Sequence, residues 1–337
     1  MWRTGCWTCR LLIVALFVVG LYVYSPAFGA DAPKEVGLTI LHTNDVHGML
    51  MPFDYDALGT KEKNVGGVSR RATLIRQIKA QSQKAVLVMD AGDVFVRGPM
   101  EKYEGEPDFA VMNAVPYDVM TLGNDEFRGD QYTGSPGPKG LEILRRRIKQ
   151  AQFPIVCANV IDRSTGKTLV PPYVIIERGG IRVGIFGVTS SCSAEYPQTK
   201  GLEIKDPIQT AKQIVTELEP KCDFIIALTH IGYPLDLALT GAIPSIGAII
   251  GGHSHTWVFA PMVVKASKPD GPDWWVGGPI VCQDGEYGKC LGRLDLALRQ
   301  DSNGHWRVAR YQGRLVPVTS ALKPASDVEK VIEARGQ

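Results

Sequence analysis

Between residues 45 and 255, seven side chains with nitrogen or oxygen donors each come at the end of a short apolar segment or just after it. Apolar runs of about four to eight residues are typical of buried strands. Because the carboxyl ends of the strands in an open α/β sheet share one edge, we expect these donors to converge there. The candidate metal ligands are Asp45, His47, Asp93, Asn124, His230, His253 and His255.

Imidazole nitrogens mixed with carboxylate and amide oxygens suit Mn, Fe, Zn or Co better than Ca, which prefers oxygen alone. Asp45 and His47 are separated by one residue, so both can reach one ion, and Asp93 can bridge two ions. Two divalent ions about 3.5–4 Å apart hold a hydroxide nucleophile and clamp an ester. A single histidine after a strand is more often structural, but four of the six histidines fall here. We therefore predict a dinuclear hydrolase with a small anionic substrate.

The segments that must position these donors alternate between strand and helix patterns. Apolar residues at helical spacing predict a helix from Val68, and Asp206 followed by Pro207 predicts the start of another. Gly179-Gly180 and Asn303-Gly304 predict hairpin turns. This mixture favours an α/β fold with two sheets, each partly covered by helices. The segment RGDQYTGSPGPKG, after Asn124, is rich in Gly and Pro and is expected to be a loop that borders the site.

Composition and charge exclude few classes of protein. The chain has 337 residues, 45% hydrophobic and 21% charged, as expected for one large globular core or two modest ones. A net charge of +2 gives no reason to expect a nucleic acid polymer as a partner. The basic run Arg145 to Arg147 lies in a segment with helical periodicity, and we expect it to be a solvated helix face.

Residues 1–30 have the pattern of a secretory signal peptide. Arg3 and Arg10 precede an apolar run from Leu11 to Tyr24, and small residues follow, with cleavage expected after Gly29 or Ala30. The alternative is an uncleaved N-terminal anchor, although the apolar run is shorter than the ~20 residues that span a bilayer. Either interpretation places the folded part in the periplasm or elsewhere outside the cytoplasm, with membrane contact only through this segment.

Cleavage would remove two of the seven cysteines and leave an odd number. Cys157 and Cys222 lie in apolar, strand-like segments and are expected to be core residues. Cys282 and Cys290 are candidates for a disulfide across a hairpin. Cys192 follows a predicted strand, so a redox role near the site is an alternative for it.

The motifs DVH, GDVFVRGP, GND, THIG and GGHSHT, in this order, resemble the five signature blocks of the calcineurin-like metallophosphoesterases. They are most similar to the catalytic domain of the 5′-nucleotidase family. The resemblance covers about residues 36–320 and leaves a helical tail at 321–337, without the family's C-terminal domain, which supplies the nucleobase-stacking site. It implies a four-layer αββα sandwich of two mixed sheets, of the metallo-dependent phosphatase type.

The resemblance also implies how the ligands divide between two ions. Asp93 would bridge the ions, and the remaining ligands would be Asp45, His47 and His255 on one ion and Asn124, His230 and His253 on the other.

The third block departs from the family pattern at its catalytic dyad. The family has GNHEFD, whose His and Asp stabilise the transition state and assist the leaving group, whereas this chain has GNDEFR. Asp125 should be ionised beside two cations and would repel a phosphate dianion. Arg128 can neutralise Asp125 and can contact an anion with two hydrogen bonds. Asp130 is a further candidate, and the alternative is an Asp125–Arg128 ion pair without a catalytic role.

The favoured interpretation is an exported dinuclear hydrolase of a phosphomonoester, nucleotides included, or of a related small anion, with Asp125 and Arg128 as candidate catalytic residues. One alternative is a thiosulfohydrolase that cleaves a sulfur ester. Another is a metal-binding periplasmic protein that has lost the dyad and does not catalyse. Trp274 and Trp275 are either a substitute platform for a nucleobase or a packed strand edge.

Overall fold

The computed structural model describes residues 34–57, 60–97, 99, 101–128, 139–265 and 271–335. The predicted signal peptide or anchor lies outside these residues, as do Asp130 and most of the Gly- and Pro-rich loop. Among the helices of the described part, none has both the length and the apolar character that crossing a bilayer requires.

The strands of the described part are, in chain order, β1 (Glu35–Thr43), β2 (Phe53–Ala57), β3 (Thr60–Val65), β4 (Ala85–Asp90), β5 (Val119–Thr121), β6 (Ile155–Val156), β7 (Val160–Asp162), β8 (Lys167–Thr168), β9 (Tyr173–Arg178), β10 (Ile181–Thr189), β11 (Leu202–Ile204), β12 (Phe224–His230), β13 (Ala248–Ile250), β14 (Met262–Val263), β15 (Ile280–Cys282), β16 (Cys290–Gln300) and β17 (Trp306–Pro317). The helices are α1 (Val68–Gln81), α2 (Glu106–Ala114), α3 (Lys139–Gln150), α4 (Pro207–Leu218), α5 (Tyr233–Ala242) and α6 (Ser326–Glu333), with short 3₁₀ helices at Glu101–Tyr103, Asp125–Phe127, Ser191–Glu195 and Pro197–Thr199.

Two mixed sheets of six strands form the centre of the molecule. The first has the order β17-β16-β1-β4-β5-β6, in which β1, β4, β5 and β6 are parallel and β16 runs antiparallel to both of its neighbours, β1 and β17. The second has the order β14-β15-β13-β12-β10-β9, with β15, β13, β12 and β10 parallel and an antiparallel strand at each edge. Each sheet therefore has one edge where several carboxyl ends of strands meet.

Alternate residues along the central strands pack into different layers. In β1, Ile40 packs between the two sheets, whereas Leu41 packs against the helices of the first sheet. In β12, Ile226 packs between the sheets, and Ile225 and Ala227 pack against the layer formed by α4 and α5. Such alternation follows from the two-residue period of a strand. The predicted four-layer αββα sandwich is confirmed.

Several local predictions are also confirmed. Helix α1 begins at Val68. The Asp206 side chain caps α4 by accepting a hydrogen bond of 2.7 Å from the backbone N–H of Gln209. The Gly179-Gly180 pair joins β9 to β10, and Asn303-Gly304 lies in the turn between β16 and β17. The two turns join the antiparallel strand pairs at the edges of the two sheets.

The prediction of a solvated basic face on α3 is right for two arginines and wrong for the third. Arg145 and Arg146 are exposed, but Arg147 is only 7% exposed. Arg147 lies three and four residues after the buried Leu144 and Ile143, so it shares their face of the helix.

The candidate disulfide between Cys282 and Cys290 is not formed. All five cysteines of the described part are free thiols. Cys282 ends β15 in the second sheet and Cys290 begins β16 in the first sheet, so the two residues do not face each other across a hairpin. Cys157 and Cys222 are buried, as expected of core residues.

Candidate functional site

The carboxyl ends of five parallel strands carry the predicted ligands. Strands β1, β4 and β5 of the first sheet and β12 and β13 of the second end on the same side of the sandwich. The structure brings all seven predicted ligands together at this edge: Asp45 and His47 after β1, Asp93 after β4, Asn124 after β5, His230 at the end of β12, and His253 and His255 after β13.

One group of donors consists of Asp45, His47 and His255. The Nε2 atoms of the two histidines lie 3.1 Å apart. Asp45 Oδ1 lies 3.8 Å from Nε2 of His47 and 3.3 Å from Nε2 of His255. Donor atoms of this group all lie within 4.8 Å of one another, which is close enough for one ion to contact all three.

A second group surrounds His230. Its Nε2 lies 3.2 Å from Asp93 Oδ2 and 3.3 Å from the amide oxygen of Asn124. The Nδ1 atom of His253 lies 2.6 Å from the same amide oxygen. Asp93 Oδ2 is also 4.0 Å from Nε2 of His47, so this carboxylate lies between the two groups. The arrangement fits two metal ions that share Asp93.

Buried carboxylates and imidazoles face each other in the site and shift each other's pKa values. Burial by itself lowers the pKa of His230, but Asp93 and Asp45 raise it, and the result is about 10. Burial raises the pKa of Asp45, but the facing histidines outweigh that effect, and the pKa is below its ordinary value. These buried carboxylates thus require positive charge beside them, which a divalent cation also provides.

Five of the seven predicted ligands have a left-handed backbone. Their φ values are 51° at Asp45, 50° at His47, 56° at Asp93, 81° at His253 and 52° at His255. Non-glycine residues rarely adopt this conformation, which costs on the order of 1–3 kcal/mol at each position. Such strain clusters at functional sites, and here it turns the ligand side chains off the strand direction and toward one another.

Outer hydrogen bonds orient the ligands. Nδ1 of His230 lies 2.7 Å from the carbonyl oxygen of Ala91, and Nδ1 of His255 lies 2.7 Å from Glu286 Oε2. The side-chain amide of Asn44 donates to Asp45 Oδ2 over 2.7 Å. A histidine whose second nitrogen is bonded in this way presents the first in a fixed direction. Asn44 and Glu286 were not predicted, although Glu286 follows the apolar β15 as the ligands follow their strands.

Glu126 is a further residue that the sequence reasoning missed. Its buried carboxylate accepts hydrogen bonds from the backbone N–H groups of Asp93 (2.9 Å), Val94 (2.7 Å) and Gly123 (2.6 Å). Burial and the nearby Asp93 raise its pKa to about 8. The Glu126 side chain thus connects the loop that contains Asp93 with the loop that contains Asn124. Its position inside the third motif was the available signal.

Asp125 is fully buried and has two arginine partners. Arg128 Nη1 donates to Oδ1 over 3.0 Å, and Arg97 Nε lies 2.7 Å from Oδ2. Burial would raise the pKa of Asp125, but His47 and the two arginines outweigh it and hold the pKa well below the ordinary value. Asp125 and Arg128 therefore meet, as expected. Arg97 was not predicted, although it lies in the GDVFVRGP motif.

Asp125 also contacts two of the candidate ligands. The side-chain amide of Asn124 donates to Asp125 Oδ1 over 2.8 Å, which leaves the amide oxygen directed at His230 and His253. Asp125 Oδ2 lies 3.3 Å from Nδ1 of His47. Asp125 thereby has the position of an outer residue that orients ligands.

Trp274 and Trp275 do not border this site. Arg299 stacks over Trp274 at 5.1 Å and Arg307 over Trp275 at 4.5 Å. These arginines lie at the joined ends of β16 and β17, beside the start of β1 and opposite the edge that carries the ligands. A cavity of about 440 Å³ at that far edge includes Trp275 in its wall and none of the seven ligands.

The chain is similar in sequence and structure to known phosphoesterases. Residues 38–257 match the family model of the calcineurin-like phosphoesterases. A 5′-nucleotidase of Vibrio cholerae is 33% identical over 340 residues, which cover 93% of this chain and 56% of that protein. The crystal structure of a 5′-nucleotidase precursor from Thermus thermophilus has a TM-score of 0.75 at 33% identity and covers 89% of this chain and 58% of that one.

Proteins of lower sequence identity also share the fold. The sulfate thiohydrolase SoxB from Thermus thermophilus, solved in complex with glycerol, has a TM-score of 0.72 at 21% identity, over 91% of this chain and 61% of that one. At this identity the likeness concerns the fold alone. The chain spans somewhat more than half the length of these relatives.

Proposed function

Because the chain belongs to the calcineurin-like phosphoesterase family, we propose that it is a hydrolase with two divalent metal ions that acts on a phosphomonoester, with nucleotides among the candidates. The observation that carries the proposal is the convergence of seven nitrogen and oxygen donors at one edge of the sandwich, where Asp93 Oδ2 lies between His230 and His47. The proposal includes residues 36–320 as the catalytic region and residues 1–30 as the export signal or anchor.

Bound metal ions would neutralise the charge of the ester and activate a water molecule as the nucleophile. The residues that would hold them are Asp45, His47 and His255 in one group, Asn124, His230 and His253 in the other, and Asp93 in both. Mn, Fe, Zn and Co all suit this donor set.

The protein itself supplies positive charge at the position where the family has its dyad. Arg97 and Arg128 hold the Asp125 carboxylate from two sides, and their side chains are 35% and 21% exposed. Two guanidinium groups therefore lie beside the candidate ligands. Guanidinium groups form charge-assisted hydrogen bonds to phosphate, a role that the family assigns here to a histidine. Asp125 acts by holding the arginines and orienting Asn124.

A direct test combines metal analysis with a substrate screen. The purified protein is expected to contain two divalent ions per chain and to hydrolyse p-nitrophenyl phosphate and nucleoside monophosphates faster than bis-p-nitrophenyl phosphate. Full metal occupancy without hydrolysis of any ester would contradict the proposal and support the non-catalytic alternative. Cleavage of a sulfur ester in place of the phosphates would support the thiosulfohydrolase alternative.

A second test restores the family dyad. The double variant Asp125→His with Arg128→Asp is expected to change phosphatase activity, because it replaces the paired acid and base of the third motif with a histidine and its acid. Unchanged kcat/KM on p-nitrophenyl phosphate would show that this position has no part in catalysis.

A further inference from the structure

A continuous row of aromatic side chains leads from the candidate ligands to the protein surface. Successive ring centroids are 5.9–6.3 Å apart along it, within the distance at which aromatic rings interact. Four separate segments of the chain contribute to the contacts. The row begins at His47 and continues through Tyr287, Phe53, Tyr55, Trp257 and Phe259, and we refer to the last five as the aromatic row.

The outer end of the row is exposed. The Phe259 side chain is 69% exposed, more than any other large hydrophobic side chain in the described part of the chain. Its ring lies nearly parallel to that of Trp257, with an angle of 19° between the planes. An exposed, stacked aromatic pair offers a flat apolar face that a planar ligand can contact.

The inner part of the row is held rigidly. The ring of Trp257 packs so closely on Gly285 that a Cβ atom at that glycine would lie within 2.6 Å of three ring atoms. Lys289 Nζ lies 4.2 Å from the Tyr55 ring and 5.1 Å from the Trp257 ring. A surface already fixed in this way loses little conformational entropy when a ligand binds.

The row is also connected to the ligands through Glu286. One carboxylate oxygen of Glu286 accepts a hydrogen bond of 3.4 Å from the Tyr55 hydroxyl, and the other lies 2.7 Å from Nδ1 of His255. Tyr287, the next residue, donates its backbone N–H to the carbonyl oxygen of Asp45. The aromatic row therefore lies directly beside the candidate ligands at Tyr287, and Trp257 follows His255 by two residues.

We propose that the aromatic row is the subsite for the leaving group of the ester, and that it selects leaving groups with a planar aromatic part that stacks on Phe259 and Trp257. This inference rests on the proposed phosphomonoesterase function. Stacking of a base on an aromatic side chain suffices to favour an aromatic ester over an aliphatic one by about 5-fold or more. The subsite would be part of the catalytic region itself and distinct from Trp274 and Trp275.

The test compares adenosine monophosphate with glycerol phosphate in the full-length protein. Phe259→Ala is expected to raise KM for adenosine monophosphate about 5- to 10-fold, to leave kcat nearly unchanged, and to leave both constants for glycerol phosphate unaltered. Phe259→Tyr keeps the ring and is expected to keep the wild-type KM. Leu235→Ala, which removes another exposed apolar side chain outside the row (42% exposed), is the matched control. Because Phe259 is so exposed, its truncation should not impair folding.

An unchanged KM for adenosine monophosphate in Phe259→Ala, or an equal rise for both substrates, would overturn the subsite and leave the proposed function intact. If the wild type hydrolyses neither ester, the proposed function fails, and calorimetric titration with adenosine then tests the row separately. Adenosine binding that Phe259→Ala weakens would support the row, whereas the absence of binding to the wild type would overturn it. A wild-type dimer in solution that becomes monomeric in Phe259→Ala would overturn the subsite and assign the row to self-association instead.

Discussion

Buried carboxylates face different positively charged partners in the two halves of the site. In the ligand half, which comprises the seven candidate ligands, the buried carboxylates of Asp45 and Asp93 face imidazole nitrogens at 3.2–4.0 Å. In the arginine half, which comprises Arg97, Asp125 and Arg128, the buried carboxylate faces guanidinium groups at 2.7–3.0 Å. Imidazoles can exchange a proton for a metal ion, whereas arginine keeps its charge. The first half is therefore suited to exchangeable cations and the second to permanent positive charge.

Removing the carboxylate that belongs to both ligand groups should have the largest effect. Asp93→Ala is expected to lower kcat/KM by about 10³-fold or more, since metal-based charge stabilisation contributes several kcal/mol and each 1.36 kcal/mol is a factor of ten. Metal content per chain, measured by mass spectrometry, should also be lower in Asp93→Ala than in the wild type. Asp56→Ala, at a 68% exposed side chain, is the control. Retained metal and activity in Asp93→Ala would remove the distinction between the two halves.

The next largest effect is expected at the side chain that joins the Asp93 and Asn124 loops. Glu126→Gln turns an amide N–H₂ group toward backbone N–H groups that now donate to the two carboxyl oxygens. We expect the free energy of unfolding to fall by about 1–3 kcal/mol and kcat/KM to fall ~10- to 100-fold. Urea unfolding and steady-state kinetics measure the two effects. Glu142→Gln, on the exposed side of α3, should change neither. Lower stability with unaltered kinetics would restrict Glu126 to a structural role.

A smaller effect is expected in the arginine half. Arg97→Ala removes one of the two guanidinium groups beside Asp125, leaves Arg128 in place and reduces the positive charge beside the ligands. KM for a phosphate dianion is expected to rise about 10-fold, as for the loss of one charge-assisted hydrogen bond of about 1.5–3 kcal/mol, while metal content stays the same. Arg182→Ala removes an arginine that is paired with Asp223 at the far edge and serves as the control. Loss of metal in Arg97→Ala would mean that the two halves do not function separately.

The smallest effect concerns a buried carboxyl group behind the ligand half. Burial raises the pKa of Asp236 to about 8, although the Thr229 hydroxyl donates to it over 2.6 Å. The folded protein keeps this proton up to about pH 8, whereas the unfolded chain loses it near pH ~4. Its contribution to stability is thus present at pH ~4 and is lost as the pH rises to about 8.

Asp236→Asn is accordingly expected to lessen the decline in the free energy of unfolding across this pH range. Urea unfolding at several pH values measures this change in the free energy of unfolding, and Asp56→Asn, at an exposed position, is the control. Equal pH dependence in Asp236→Asn and wild type would show that Asp236 does not titrate in this range.

Much of the fold and the ligand set could be predicted from sequence because their signals are local. Strand ends mark the ligands, and caps and glycine turns mark where the elements begin and end. Glu126 and Arg97 were missed because their partners are backbone amides and a carboxylate on other loops. Spacing along the chain does not encode such contacts. The candidate Cys282–Cys290 disulfide is not formed because β15 and β16, although consecutive in sequence, belong to different sheets.

The left-handed backbone at five of the ligands makes the effect of substitutions at these positions unequal. Glycine adopts this backbone without steric cost, so a change such as His47→Gly removes a metal donor and at the same time relieves local strain, which partly offsets the cavity that it opens. A β-branched residue at the same position would lose the donor and add strain. Selection for folding alone would therefore favour glycine at these positions, so the presence of donor side chains there fits the proposed metal site.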